Sequence, residues 1–208
     1  MRLVLASGSP RRRQLLTDMG LPYELRLREV DESYPPQLRR AAIAEYLARR
    51  KAKAYRPDLA PDELLLTADT IVCLGEEVLN KPADAAEARA MLGRLQGRAH
   101  QVYTGVCLLP GDGRAPLVFA DETTVHFRAL STAEIAHYVA RYQPLDKAGA
   151  YGAQDWLGLV GIERLEGSYF TVMGLPTHRV WAGLVALGYF SDPDDPATGD
   201  TTHPNAHP

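Results

Sequence analysis

Residues 2–20 read RLVLASGSPRRRQLLTDMG, a strand that runs through a small-residue turn straight into a helix. RLVLA is a short apolar strand. Ser9 is placed as the helix N-cap, Pro10 at the first helical position, and Gly20 as the stop. Leu15, Leu16 and Met19 fall at helical spacing. Working outward, YELRLR (23–28) alternates with period two, as a half-exposed strand does. PQLRRAAIAEYLARRKAKAY (36–55) is a long helix, with Leu38, Ala42, Ile43, Tyr46 and Leu47 expected inward. LLLTADTIVCL (64–74) is a buried strand pair or a single bent strand. A helix over 83–95 stops at Gly97. HQVYTGVCLLP (100–110) and PLVFADETTVHF (116–127) are long strands joined by PGDGR, an antiparallel hairpin. STAEIAHYVARY opens on a capping box, Ser131 with Glu134. GLVGIERL and SYFTVMG are expected as short strands, and LPTHRVWAGLVALG as the last helix. Alternating elements around one long hairpin argue an α/β fold, with a mixed sheet and flanking helices.

Composition bounds the rest. The chain has 208 residues, 46% hydrophobic and 24% charged, an ordinary globular balance. No apolar run approaches the length of a membrane span. MRLVLASGSPRRR puts its arginines after a short apolar stretch, the reverse of a signal peptide. Cys73 and Cys107 offer no disulfide framework and sit in apolar strands, so a cytoplasmic setting is expected. The net charge of −3 hides an asymmetry: residues 1–60 hold 13 Lys/Arg against 7 Asp/Glu. A basic first third in a near-neutral chain points to a local anion site, not a nucleic-acid coat. SDPDDPATGDTTHPNAHP (191–208) has four Pro, four Asp and no large apolar residue, so it reads as a disordered polar tail after a domain at 1–190.

Four groups of residues look chemical. Ser7, Ser9, Arg11, Arg12 and Arg13 surround a helix N-terminus, where cations oppose the macrodipole unless an anion lies between. Asp69, with Thr70, is an acid inside an apolar strand, and such an acid is usually paired, metal-bound or catalytic. Asp31 and Glu32 form a loop acid pair; with Asp69, Glu32 would make a divalent-cation site, since Mg²⁺ takes one or two carboxylates plus substrate phosphates. Lys51, Lys81 and Lys147 are candidate phosphate cations, and Gln154 carries both a donor and an acceptor for a base edge. No GxSxG, HExxH or CxxC is present. His100, His126, His137 and His178 are isolated and read as structural; Trp156 and Trp181 read as core or cleft walls.

In order, LASGSPRRRQLL, VDES, LARRKAKA, ADTIV…NKP, GRAHQVYTGVCL, PLDKAGAYGAQ and IERLEGSYFTVMGLP resemble the motifs of the Maf family of nucleotide pyrophosphatases, from about residue 3 to 187. The resemblance implies an elongated mixed sheet, with two lobes around a central cleft, similar to inosine triphosphate pyrophosphatases, and a homodimer. It implies hydrolysis of a nucleoside triphosphate to the monophosphate and pyrophosphate with a divalent cation, Mg²⁺ or Mn²⁺. Asp69 matches the general base and Glu32 a carboxylate of the same cleft, a metal ligand with Asp69. Ser9, Arg12, Lys51 and Lys81 match positions that hold the triphosphate. Arg11, Thr70 and Gln154 match the subgroup acting on dTTP and UTP, whose pocket would also admit C5-modified pyrimidines. The chain departs at Asp155-Trp156, where many members have glycine.

Two other readings compete. Family members have been associated with arrest of septum formation, which implies a non-enzymatic regulator that binds nucleotide. An RNA-binding role for residues 1–60 lacks the aromatic stretch such modules use. The expected partner is therefore a nucleoside triphosphate, with no nucleic acid and no membrane.

Overall fold

A computed structural model describes residues 1–190; the tail expected over 191–208 lies outside them. The elements are β1 (Arg2–Leu5), α1 (Pro10–Asp18), β2 (Tyr23–Leu25), α2 (Ala41–Tyr55), β3 (Glu63–Leu74), β4 (Glu77–Leu79), α3 (Ala85–Leu95), β5 (Ala99–Pro110), β6 (Leu117–Phe127), α4 (Thr132–Tyr142), α5 (Trp156–Gly161), β7 (Ile162–Glu166), α6 (Tyr169–Met173) and α7 (Thr177–Ala186). Seven strands form one sheet in the order β2-β1-β3-β5-β6-β7, with β4 also on β3. β2, β1 and β3 run parallel and the remaining pairs antiparallel, so the sheet is mixed as expected.

Strand alternation sends the residues of β3 to two faces. Leu65, Ile71 and Cys73 pack on the α2 side. Leu64, Leu66 and Ala68 join α1 and α7 in one apolar cluster, whereas Val72 joins α3 and α4 in another. The second face thus carries two lobes, and the gap between Ala68 and Val72 is where they part. A further gap lies along the edge. β1 pairs β3 only at Glu63–Leu66, and β4 only at Val72–Leu74, so residues 67–71 have β5 on one side and neither strand on the other.

Several local expectations need correction. Of the two forms expected for LLLTADTIVCL, the single strand holds. YELRLR keeps only Tyr23–Leu25 as strand, because Arg26 turns its guanidinium onto the buried Glu63 carboxylate instead of continuing the alternation. The helix expected from residue 36 begins at Ala41, after Arg40 adopts a left-handed φ of 47°. Its inward stripe uses Ile43, Ala44, Leu47, Ala48 and Ala52, and Ala42 faces solvent. GLVGIERL is helix to Gly161 and strand after it. SYFTVMG is the helix α6, stopped by Gly174 at φ 105°, which caps the Phe170 and Thr171 carbonyls. Trp181 lies exposed on α7 against Phe190, in neither core nor cleft. No helix among the described residues is long and apolar enough to cross a membrane.

The small residues of α2 let it approach the sheet closely. A Cβ on Gly105 of β5 would lie 2.2 Å from the backbone carbon of Ala44. Gly105→Ala therefore pushes α2 off the sheet; we expect a loss of about 1–3 kcal/mol in denaturant unfolding, and more if the helix cannot shift.

His100 is fully buried, edge-on to Phe127 and Tyr151, with Nε2 2.7 Å from the Tyr151 hydroxyl. Burial, helped by the charge of His126, pushes its pKa down to about 4. In the unfolded chain it titrates near 6.5. Between these values only the unfolded state takes the proton, so stability falls as pH drops from about 6.5 to about 4, by at most about 3 kcal/mol. His100→Gln is expected to flatten that segment of the stability–pH curve by one proton.

Candidate active site

The open edge of β3 is the floor of a cleft of about 1100 Å³. It lies at the carboxyl end of β1, where open α/β sheets place their ligands. Alternation turns Asp69 toward α2 and Thr70 toward the other face. Lys51 projects from α2, and its Nζ donates to Asp69 Oδ1 and stands 2.7 Å from Glu32 Oε1. Glu32 comes from the loop after β2, and its Oε2 is 3.8 Å from Lys81 Nζ. One ammonium thus joins two carboxylates, with a second ammonium beside them. Asp69 and Lys51 are mostly buried, and Glu32 is half-exposed.

On the opposite face Arg12 is tied at three points. Nε donates to the Gly174 carbonyl at 2.7 Å, Nη1 to Ser7 Oγ at 3.1 Å, and Nη2 to Thr70 Oγ1 at 3.0 Å. Ser9 caps α1 by accepting from the Arg12 amide. The cleft lining contains the cations Arg11, Arg12, Arg28, Lys51, Lys81 and Lys147 and the acids Glu29, Asp31, Glu32, Asp69 and Asp146. Burial lowers the Arg12 pKa, and the charge of Asp69 partly offsets it. For Glu32, burial is the largest influence and pushes up, but the hydrogen bond from Lys51 and the charges of Lys51, Lys81 and Arg12 prevail, so its carboxyl sits below its ordinary value. Burial pushes the Cys73 and Cys107 thiols up to about 11, as suits inert core residues.

The cleft gathers Ser7, Ser9, Arg11, Arg12, Glu32, Lys51, Asp69, Thr70, Lys81 and Lys147, drawn from six separate stretches of chain. Gln154 does not line it. Its backbone follows the lining residues Tyr151 and Gly152, and its Oε1 is buried with no hydrogen-bond partner. Arg13 also stays outside. Lys147 bonds Asp146 at 2.6 Å and lies 3.8 Å from Asp155, which accepts from the Tyr138 hydroxyl at 2.9 Å. The departure at Asp155 therefore anchors the turn that carries Lys147. Sequence reasoning missed Gly174, Arg28 and Tyr55. Gly174 carries no chemistry of its own beyond a carbonyl, and Arg28 reaches Tyr55 through a cation–π contact of 5.0 Å that no spacing encodes.

Glu32 and Asp69 suit a hard cation in one respect: both offer carboxylate oxygens to the same point, now shared by Lys51. Among the described residues there is no cluster of three or more His, Cys, Asp or Glu placed to hold a metal. The donor set fits an ion that keeps waters and takes phosphate oxygens, and does not fit a closed protein cage.

Residues 2–187 match the family model described as Maf-like protein. A Bacteroides thetaiotaomicron protein named dTTP/UTP pyrophosphatase is 47% identical over 89% of this chain and 96% of its own. A Parabacteroides distasonis protein of the same name is 46% identical over 88% of this chain and 94% of its own. Among solved structures, the Staphylococcus aureus Ham1 protein is similar at 16% identity over 61% of this chain and 72% of that one, with a TM-score of 0.43. Match to a family model over nearly all the described residues, with relatives this close over most of their length, places the chain in the Maf-like protein family.

Proposed function

We propose that this chain hydrolyses dTTP and UTP, and their C5-modified forms, to the nucleoside monophosphate and pyrophosphate with a divalent cation, Mg²⁺ or Mn²⁺. The observation that carries the reading is the Asp69–Lys51–Glu32 cluster at the floor of a cleft that Arg11, Arg12, Lys81 and Lys147 also line. The names of the relatives favour hydrolysis over the regulatory alternative. The family resemblance alone supports a homodimer, and the two free buried cysteines support a cytoplasmic setting.

The substrate carries about four negative charges, and charge moves to the leaving pyrophosphate as the bond from the α-phosphorus to its bridging oxygen breaks. Arg12, Lys51 and Lys81 would neutralise it. Asp69 would accept the proton of the water whose oxygen forms the new bond to phosphorus. Glu32 and Asp69 would hold the cation, which when bound supplies further neutralisation of phosphate charge. Arg11 and Thr70 would select the base, with Gln154 acting from behind the lining residues Tyr151 and Gly152, and Ser7, Ser9 and Lys147 completing the grip on substrate.

Asp69→Asn keeps the shape of the site and removes the base. We expect turnover of dTTP and UTP to fall by about a hundredfold to ten-thousandfold with nucleotide binding largely retained; near-normal turnover would sink the assignment. Arg11→Trp with Thr70→Gln is expected to weaken kcat/KM for both pyrimidine triphosphates. Unchanged pyrimidine kinetics would remove those two residues from base selection.

A further inference from the structure

We propose that Thr104 is a positioning residue: it fixes the direction of the Thr70 hydroxyl, so that the cleft selects the imide N–H of uracil and thymine over the bare ring nitrogen of cytosine. This rests on pyrimidine triphosphates being the substrates. Thr70, Thr104 and Asp121 are cross-strand neighbours on β3, β5 and β6. Together with α6 they build a polar seam between the two apolar lobes.

Protons can be assigned along this seam. Thr104 is fully buried, and its Oγ1 lies 2.8 Å from the Thr171 carbonyl oxygen. A carbonyl only accepts, so the single proton of Thr104 goes there. Thr70 Oγ1 lies 2.9 Å from Thr104 Oγ1, and with that proton committed Thr70 must be the donor. Arg12 Nη2 donates into one of the two lone pairs of Thr70. Thr70 therefore faces the cleft with one free lone pair and no free proton. The Thr171 carbonyl cannot swing away. Thr171 is itself fully buried, its hydroxyl donates to Asp121, and its amide donates to the Ser168 carbonyl at 3.1 Å.

An acceptor-only group against a base edge needs a donor. The N3–H is the only N–H donor on a uracil or thymine base attached to its sugar. Cytosine carries a lone pair at the same position, so in the same pose two acceptors would meet there; its own donor, the C4 amino group, lies one ring position away, and reaching it requires the base to shift. Sites built on such buried polar pairing discriminate strongly against the mismatched base.

The test is kcat/KM for UTP and CTP in the wild-type protein, Thr104→Val and Thr104→Ser. Thr104→Val frees the Thr70 proton, so the hydroxyl can turn and donate. The CTP-to-UTP ratio is expected to rise by about tenfold or more, and Thr104→Ser to keep the wild-type ratio. A purely structural role lowers both substrates together and leaves the ratio unchanged; that result in a protein with a cooperative melt overturns the proposal, as does a shift in the Ser variant equal to that in the Val variant. If Thr104→Val does not fold, Thr104→Cys keeps the shape with a weaker donor. The ratio must then shift the same way, and an unchanged ratio overturns the proposal. A wild-type protein that uses UTP and CTP equally overturns this proposal alone. One that releases pyrophosphate from no pyrimidine triphosphate overturns the hydrolase reading and this proposal with it.

Discussion

β1 stops at Leu5, while β3 runs on to Leu74. That difference in length opens the site. Where β1 covers it, β3 is buried on both faces and paired on both edges. Past Leu66 the same strand keeps β5 on one side only, until β4 rejoins at Val72. Backbone groups on the open edge need partners, and in a water-filled cleft they have them. A polar side chain is tolerated there at a depth where β1 would otherwise exclude it. Asp69 and Thr70 occupy that stretch, and each faces a different wall.

Helix α2 then determines what Asp69 meets. Ala44, Ala48 and Ala52 put the helix close to the sheet, and Gly105 leaves room for its backbone. Thr67 fixes the helix further by donating to the Ala48 carbonyl at 2.7 Å. Lys51, three residues on, is therefore held at a set height above the floor. Two carboxylates on one mostly buried ammonium make a poor stability device, because the desolvation of the charges opposes their attraction. Such a cluster suits a site that receives further charge: an incoming polyphosphate and its cation would regroup the partners without creating new buried ions.

The sequence showed the framework where the signals were local. The N-cap at Ser9, the capping box at Ser131 and the hairpin through PGDGR all depend on neighbours within a few residues, and all three stand. The acid in an apolar strand at Asp69 was legible for the same reason. Misread segments were those where tertiary contacts prevail over local pattern. SYFTVMG is rich in β-favouring residues, yet it coils into α6 because Gly174 can take a left-handed φ and the Thr123 and Thr104 hydroxyls donate to the Ser168 and Thr171 carbonyls. YELRLR alternates correctly but loses its last three residues to the demand of Glu63 for a guanidinium. Gly174 and the three-point tether of Arg12 span 162 positions of sequence, a separation at which spacing carries no information.

The arginine run at the start of α1 shows how far such reading reaches. Three cations in a first helical turn oppose the macrodipole, and that oddity was visible without coordinates. Their division of labour was not. Arg12 turns back across the cleft to Ser7, Thr70 and Gly174, Arg11 lines the cavity, and Arg13 stays out of it. A guanidinium already held at three points has little side-chain freedom left to lose when an anion arrives. Two of its N–H groups remain for that anion, on Nη1 and Nη2, in a fixed orientation. An anion bound at the N-terminus of α1 would therefore relieve the unfavourable placement against the helix dipole from both sides at once.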